Sequence, residues 1–340
     1  MKALVFERIG DPNDVLAVRE LPKPEPGPGE ILVRVRLSPV HPSDMHIMRG
    51  RFGRQPTLPA SPGIECVGVV EGLGSGVAGP APGTRVVLLN VWGSWRELIV
   101  SPAERVVPVP GDLSDEDAAQ ALVNPVTAWV MTMVEHDLKP GNWLVQTAAG
   151  STVGRLVLQL ARSERFRTVN IVRRRAQVSE IKALGGDVVI TSEDDDWVTQ
   201  LATASEGKAL SQAIDCVAGR IGATVARHLA PGGRLLVYGA LSSHRQTDPS
   251  AFEMPVFAPR LIYSAAVVQG WYLLHWFEVT PFAECRAILS RVLDRLASGT
   301  LRLSPAKRHR PQNIGDALRE ADGAPREGKP LLDFSDWAAD

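Results

Sequence analysis

The stretch TAAGSTVG (residues 147–154) sits between an apolar run, WLVQT (143–147), and STVGRLVLQLARSE, where Val153, Leu156, Val157 and Leu160 recur at helical spacing. A turn of small residues at such a junction lets backbone N–H groups approach a pyrophosphate, and the helix N-terminus adds a positive dipole end. The template G-x-G-x-x-G falls on Ala149, Gly150, Ser151, Thr152, Val153 and Gly154, with only the third glycine kept. A tight turn that binds nothing is the competing reading. NIVRRRAQ (170–177) ends the next apolar run. An NAD site places Asp or Glu there to accept from the ribose 2′-OH. Arg173, Arg174 and Arg175 instead suit a 2′-phosphate, through charge-assisted and often bidentate bonds. The expected cofactor is therefore NADPH. The competing reading is a solvated charge cluster, although arginines that start a helix gain nothing from its dipole.

NVWGSWRELI (90–99) is a third distinctive stretch. Trp92 and Trp95 flank Gly93 and Ser94, and Arg96 follows. It holds neither a metal ligand nor a phosphate loop. Two uses compete: a surface hairpin with one indole over the core, or an apolar wall for a substrate. Arg96 is expected to be structural.

The elements that position these residues fall into three blocks. Residues 1–124 alternate apolar and polar residues and are rich in Pro and Gly. EILVRVRLSPV (30–40) reads as a strand with Ile31, Val33, Val35 and Leu37 on one face, and IECVGVVEGLG (64–74) as a strand with glycine-marked bulges. The pattern suggests a small closed β-structure, with PKPEPGPGE (22–30) as an extended connector. Residues 125–271 alternate short apolar strands with helical stretches. The strands are WLVQT, TVNIV (168–172), DVVIT (187–191), QAIDC (212–216), RLLVYG (234–239) and LIYSAAVV (261–268). That alternation predicts a doubly wound parallel sheet. Residues 272–340 return to the first block with a long amphipathic helix (281–299, ending at Gly299), a shorter one (313–321) and a closing strand (328–334).

A chain of 340 residues suits two domains. Lys and Arg number 37 against 38 Asp and Glu, which lacks the basic excess of a nucleic-acid binder. No run of 18 apolar residues appears, and MKALVF opens directly on a strand pattern, so neither a membrane span nor a signal peptide is expected. Cys66, Cys216 and Cys285 form no disulfide or zinc pattern, and a cytoplasmic setting is expected.

Taken together, the segments GPGEILVRV, HPSDMHIMRG, PGIECVGVV, NPVTAWVM, GGRLLVYG and the 147–154 turn resemble the medium-chain dehydrogenase/reductase superfamily. Within it the chain is most similar to the mitochondrial-type 2-enoyl thioester reductases, through GSWRELIV, NPVTAW, VNIVRRR and VQGWYLLHW, which follow the family's order along nearly the whole length. Quinone oxidoreductases come next.

The resemblance implies an α/β fold, a doubly wound parallel Rossmann sheet inserted into a β-rich GroES-like domain. It implies NADPH-dependent reduction of the C=C bond of an α,β-unsaturated carbonyl compound, in particular a 2-enoyl thioester. Quinone or alkenal reduction is the alternative, and a non-catalytic NADPH-binding protein a second. Positions that bind catalytic zinc in metal-dependent members match His41, Ile64 and Asn124. One imidazole does not hold zinc, which takes about three protein ligands, so a metal-free site is expected. Asn124, Thr127, Tyr238, Gly239 and Trp271 join the implied cofactor set, and Trp92, Trp95 and Arg54 the substrate set. The family's donor tyrosine matches Phe52, which has no hydroxyl. His41, Tyr272, or a water held by Ser43 or Arg54 are the candidate substitutes. An exposed edge at 261–268 implies a homodimer.

Overall fold

A computed structural model describes residues 1–204, 210–244, 246, 248–323 and 328–339. The chain divides into two units, Met1–Val126 with Phe277–Asp340, and Thr127–Trp276.

In the first unit the strand Glu30–Pro39 is the organising element. Its alternation buries Ile31, Val33, Val35 and Leu37. It pairs antiparallel with Val67–Leu73, Leu98–Pro102 and Lys329–Asp333, so residues from the far end of the chain complete the sheet. The sheet runs Ala306–His309, Lys329–Asp333, Glu30–Pro39, Val67–Leu73, Arg85–Leu88, Val106–Pro108. Register shifts along Val67–Leu73 match the bulges expected from its glycines. One core gathers Leu4, Phe6, Ile31, Met45, Trp95, Phe334 and Trp337.

The second unit is a six-stranded sheet, parallel throughout. Its order is Val188–Thr191, Arg167–Val172, Trp143–Thr147, Gln212–Asp215, Arg234–Val237, Val267–Gly270. In chain order that is the Rossmann arrangement, reversing direction between the first and fourth strands. Trp143, Val145, Val169, Ile171 and Leu235 fill one face. The helix Thr152–Glu164 buries Leu156, Val157 and Leu160.

One expected strand is corrected. LIYSAAVV (261–268) is not a single strand. Ala258–Ser264 is helical, Ala265 stops it in the left-handed region at φ 49°, and only Val267–Gly270 joins the sheet. Pro259 in the first turn favours helix there. A short apolar run has no period that separates the two structures.

His136 ties the π-helical segment Val130–Glu135 to the sheet. Its ring N–H donates to the Ala213 carbonyl at 3.0 Å, and its own carbonyl accepts from the Gln212 side chain at 2.8 Å. Burial, aided by the Arg234 charge, pushes its pKa down to about 4. The unfolded chain therefore binds more protons than the native state between about pH 6.5 and pH 4. Stability is complete above that window and falls as pH drops through it, by at most roughly 3 kcal/mol. Urea unfolding at pH 7 and pH 4.5 should show this loss, and His136→Gln, which keeps a donor for Ala213, should flatten it. An unchanged pH slope in the variant would contradict the assignment.

Candidate active site

The phosphate turn is built around one close approach. A Cβ on Gly154 would lie 2.6 Å from the Ala149 carbonyl oxygen, so glycine is required where the helix crosses the strand end. Ala149 is buried beneath it and needs no glycine. Ser151, at the second glycine position, is the helix N-cap, and its hydroxyl accepts from Gly154 N–H at 3.1 Å. Thr152 and Val153 open the helix. The glycine-poor fingerprint is thus a capped version of the same turn.

A cavity of about 440 Å³ opens beside it, lined by Ala148, Gly150, Ser151, Arg173, Arg174, Gln177, Ser192, Val217, Ile221, Leu241 and Ser242. Arg173 and Arg174 line it, and Arg175 does not. Arg175 pairs with Asp194 at 2.6 Å and is largely exposed. The reason is local: Arg174 is extended, at φ −113° and ψ 140°, whereas Arg175 opens a 3₁₀ turn, so the two side chains leave the backbone in different directions.

A further residue, Asp215, lies outside every site motif read from the sequence. Its buried carboxylate accepts from the Thr147 hydroxyl at 2.5 Å and from Val217 and Ala218 N–H at 2.9 Å each. Ala218 is held at φ 58°. The loop that walls the cavity opposite the phosphate turn is therefore pinned to the first strand. An aspartate closing an apolar strand, QAID, was the available signal. Tyr238 is half-buried beside Cys216 and Ser151, and desolvation of its phenol raises its pKa far above the usual value. Gly239 packs on Cys216, within 3.1 Å of a Cβ placed there. Trp271 is buried and donates to Glu135 at 3.2 Å, which also pairs with Arg234, so it is tied into a structural ion pair. Tyr272 follows it, half-buried. Asn124 and Thr127 share the helix Val123–Trp129.

In the first unit, the turn at 90–99 answers to the chain at 60–63. Gly93 and Ser94 N–H donate to the Gly63 carbonyl, and Trp95 N–H to that of Pro62. The approach leaves no room for a Cβ on Gly63. Trp95 is fully buried and its indole donates to the Pro39 carbonyl at 3.2 Å. This corrects its expected place in a substrate wall: it is core. Trp92 stays half-buried, edge-on to Phe52 with centroids 6.1 Å apart, and the Arg54 guanidinium lies 5.8 Å from its ring. Arg54 also pairs with Glu278 at the surface. Arg96 braces the turn through a bond to the Gly93 carbonyl.

His41 caps the helix Pro42–Met48, which carries Ser43 in its first turn. Asp44 accepts from His41 N–H at 2.8 Å and Gly63 N–H at 3.0 Å, and its burial pushes its pKa up to about 7. Both ring nitrogens of His41 are engaged, Nε2 with Glu65 and Nδ1 with Lys329 Nζ at 3.0 Å. Among the described residues no group of three or more His, Cys, Asp or Glu is arranged to hold a metal ion.

A Rossmann unit inserted into a β-rich unit, with a capped phosphate turn and two arginines at the second strand end, defines a medium-chain dehydrogenase/reductase. Residues 27–111 match the family described as Alcohol dehydrogenase GroES-like domain, and 152–285 that described as Zinc-binding dehydrogenase. The mouse protein named enoyl-acyl-carrier-protein reductase, mitochondrial, is 33% identical over 307 residues, covering 88% of this chain and 80% of its own. The human protein of that name is 31% identical over 311 residues, with the same coverage. A Bacillus thuringiensis structure described as an NADPH:quinone reductase superposes with a TM-score of 0.89 at 27% identity, over 98% of both chains. The Etr1p complex with NADP and crotonyl-CoA shares the fold, with a TM-score of 0.83 at 23% identity over 98% of this chain and 99% of that one. The chain belongs to the enoyl-acyl-carrier-protein reductase family of that superfamily. The relatives' names overturn the expected cytoplasmic setting, since they are mitochondrial proteins. Cys66, Cys216 and Cys285 are free and buried, and they do not select a compartment.

Proposed function

We propose that the protein is a zinc-independent, NADPH-dependent reductase of the C=C bond of an α,β-unsaturated carbonyl compound, with a 2-enoyl thioester as the favoured substrate. The observation that carries this is the cavity in which the phosphate turn, Arg173 and Arg174 converge in a chain of the enoyl reductase family. The residues fit the cofactor: Ser151 caps a helix whose first N–H groups suit a pyrophosphate, and the two arginines suit a 2′-phosphate. When bound, NADPH supplies the hydride for the β-carbon. Asp215 keeps the facing loop in place, and Trp92 with Phe52 offers an apolar surface to an acyl chain.

Phe52 supplies no proton to the α-carbon, and the ring of His41 is committed to Glu65 and Lys329. Tyr272 or a bound water is the donor under this reading. Quinone reduction is the second reading. The hydroxyl-free Phe52 favours it, as does the likeness to the Bacillus thuringiensis protein.

A second copy of the chain is the proposed partner. Val267–Gly270 lies at the open edge of the parallel sheet, and Ile262 and Tyr263 are 68% and 84% exposed on the helix before it. Apolar side chains beside an unpaired edge favour association.

Three measurements test these readings. Replacing Arg173 and Arg174 with Ala should weaken NADPH binding by about tenfold or more and leave NADH nearly unaffected, since each charge-assisted contact contributes roughly 1.5–3 kcal/mol. Equal losses for both cofactors would remove the 2′-phosphate assignment. Phe52→Tyr should raise crotonyl thioester reduction by about tenfold or more, because one well-placed donor contributes roughly 10²-fold. Quinone reduction should stay level or fall as a hydroxyl enters an apolar wall. Unchanged thioester turnover in the variant, with a wild type faster on quinones, would select the second reading. Light scattering should give a dimer mass, and Ile262→Asp with Tyr263→Asp should give a monomer. A monomeric wild type at micromolar concentration would reject the partner.

A further inference from the structure

Four ionisable side chains, Lys329, His41, Glu65 and Asp44, are buried together in the first unit, each at most 6% exposed. Three form a continuous line. Lys329 Nζ lies 3.0 Å from His41 Nδ1, and His41 Nε2 is bonded to Glu65 Oε1. The second oxygen of Glu65 accepts from Leu122 N–H at 3.1 Å and Val123 N–H at 2.7 Å. Those amides open the helix Val123–Trp129 and have no partner within it. Lys329 comes from the strand that closes the sheet, nearly 290 residues from His41 (|i−j| = 288).

Three proton placements satisfy this line: an ammonium with a neutral imidazole and a carboxylate, a neutral amine with an imidazolium and a carboxylate, or a neutral amine with an Nδ1–H imidazole and a protonated carboxyl. The ordinary basicities of lysine and histidine differ by about four pH units in favour of the ammonium. An ammonium has three donors and no acceptor, so Nδ1 must accept. Nε2 then carries the ring proton and donates to the Glu65 carboxylate.

We infer that Lys329 is a positioning residue whose ammonium fixes His41 as the neutral Nε2–H tautomer and, through Glu65, holds the start of the helix that carries Asn124 and Thr127. The line balances one cation against one carboxylate, and His41 transmits the contact without bearing charge. Asp44 stands beside it, where the Lys329 charge favours and the Glu65 charge opposes its ionised form, and it accepts from the amides of His41 and Gly63. Only the consequence for turnover rests on the proposed reduction; the tautomer does not.

Nitrogen-15 NMR of the full-length protein, labelled at histidine and assigned with His41→Asn, tests this without a substrate. The wild-type ring should show a protonated Nε2 and a bare Nδ1 at neutral pH. In Lys329→Met the fixed tautomer should be lost, with the imidazole taking up a proton from solvent to balance the Glu65 carboxylate. Lys329→Arg should restore the wild-type pattern. An imidazolium or an Nδ1–H tautomer in the wild type would overturn the inference, and that reading needs no variant to fold. An unchanged ring in folded Lys329→Met would overturn it equally. A parallel assay with crotonyl thioester should show lower kcat in Lys329→Met and recovery in Lys329→Arg. Absence of any wild-type turnover there, with the tautomer as expected, would reject the proposed reaction and leave the positioning role intact.

Discussion

The second unit depends on one topological constraint, the reversal of strand order beside Trp143–Thr147. Parallel strands need crossovers, and helices on opposite faces leave the sheet in opposite directions on either side of that point. The loops after the first and fourth strands must therefore diverge. The crevice between them is the cavity that holds Ser151 on one side and Val217 on the other. A crevice made by topology still needs rigid walls. Gly154 lets the helix settle on Ala149, and Asp215 binds the opposite loop back to Thr147. These contacts cost the burial of a carboxylate, which its three donors offset.

The first unit spends its buried polar groups differently. Its core is apolar around Trp95, but its sheet end holds an ammonium, an imidazole and two carboxylates. Unpaired, each charge would be strongly destabilising. Here they satisfy backbone amides as well as one another, at Leu122, Val123, His41 and Gly63. Lys329 reaches this cluster from 288 residues beyond His41, so the closing strand Lys329–Asp333 completes a buried polar cluster as well as the sheet.

The candidate cofactor pocket of the second unit and the Trp92–Phe52 pair of the first are built differently. The cofactor side rests on backbone geometry at strand ends, which tolerates Ala149 and Ser151 in place of glycines. The side with Trp92 and Phe52 rests on individual side chains, where a single atom, the missing hydroxyl at Phe52, changes the chemistry available. A family resemblance therefore speaks more firmly for the first than for the second.

By itself the sequence determined what is local and periodic. Alternation over Glu30–Pro39, the apolar runs from Trp143 to Val237 and the helical spacing after Ser151 each report a buried face, because burial repeats with the backbone period. Helix and strand were not separable in LIYSAAVV, which is too short to show a period. Tertiary structure alone decided which of two indoles enters the core, since Trp92 and Trp95 sit in the same turn and differ only in the direction that turn gives them. It decided that Arg174 faces the cavity while Arg175 turns to Asp194. It also brought Lys329 to His41. A contact between residues so distant leaves no mark in spacing, because it depends on how strands from opposite ends of the chain pair in space.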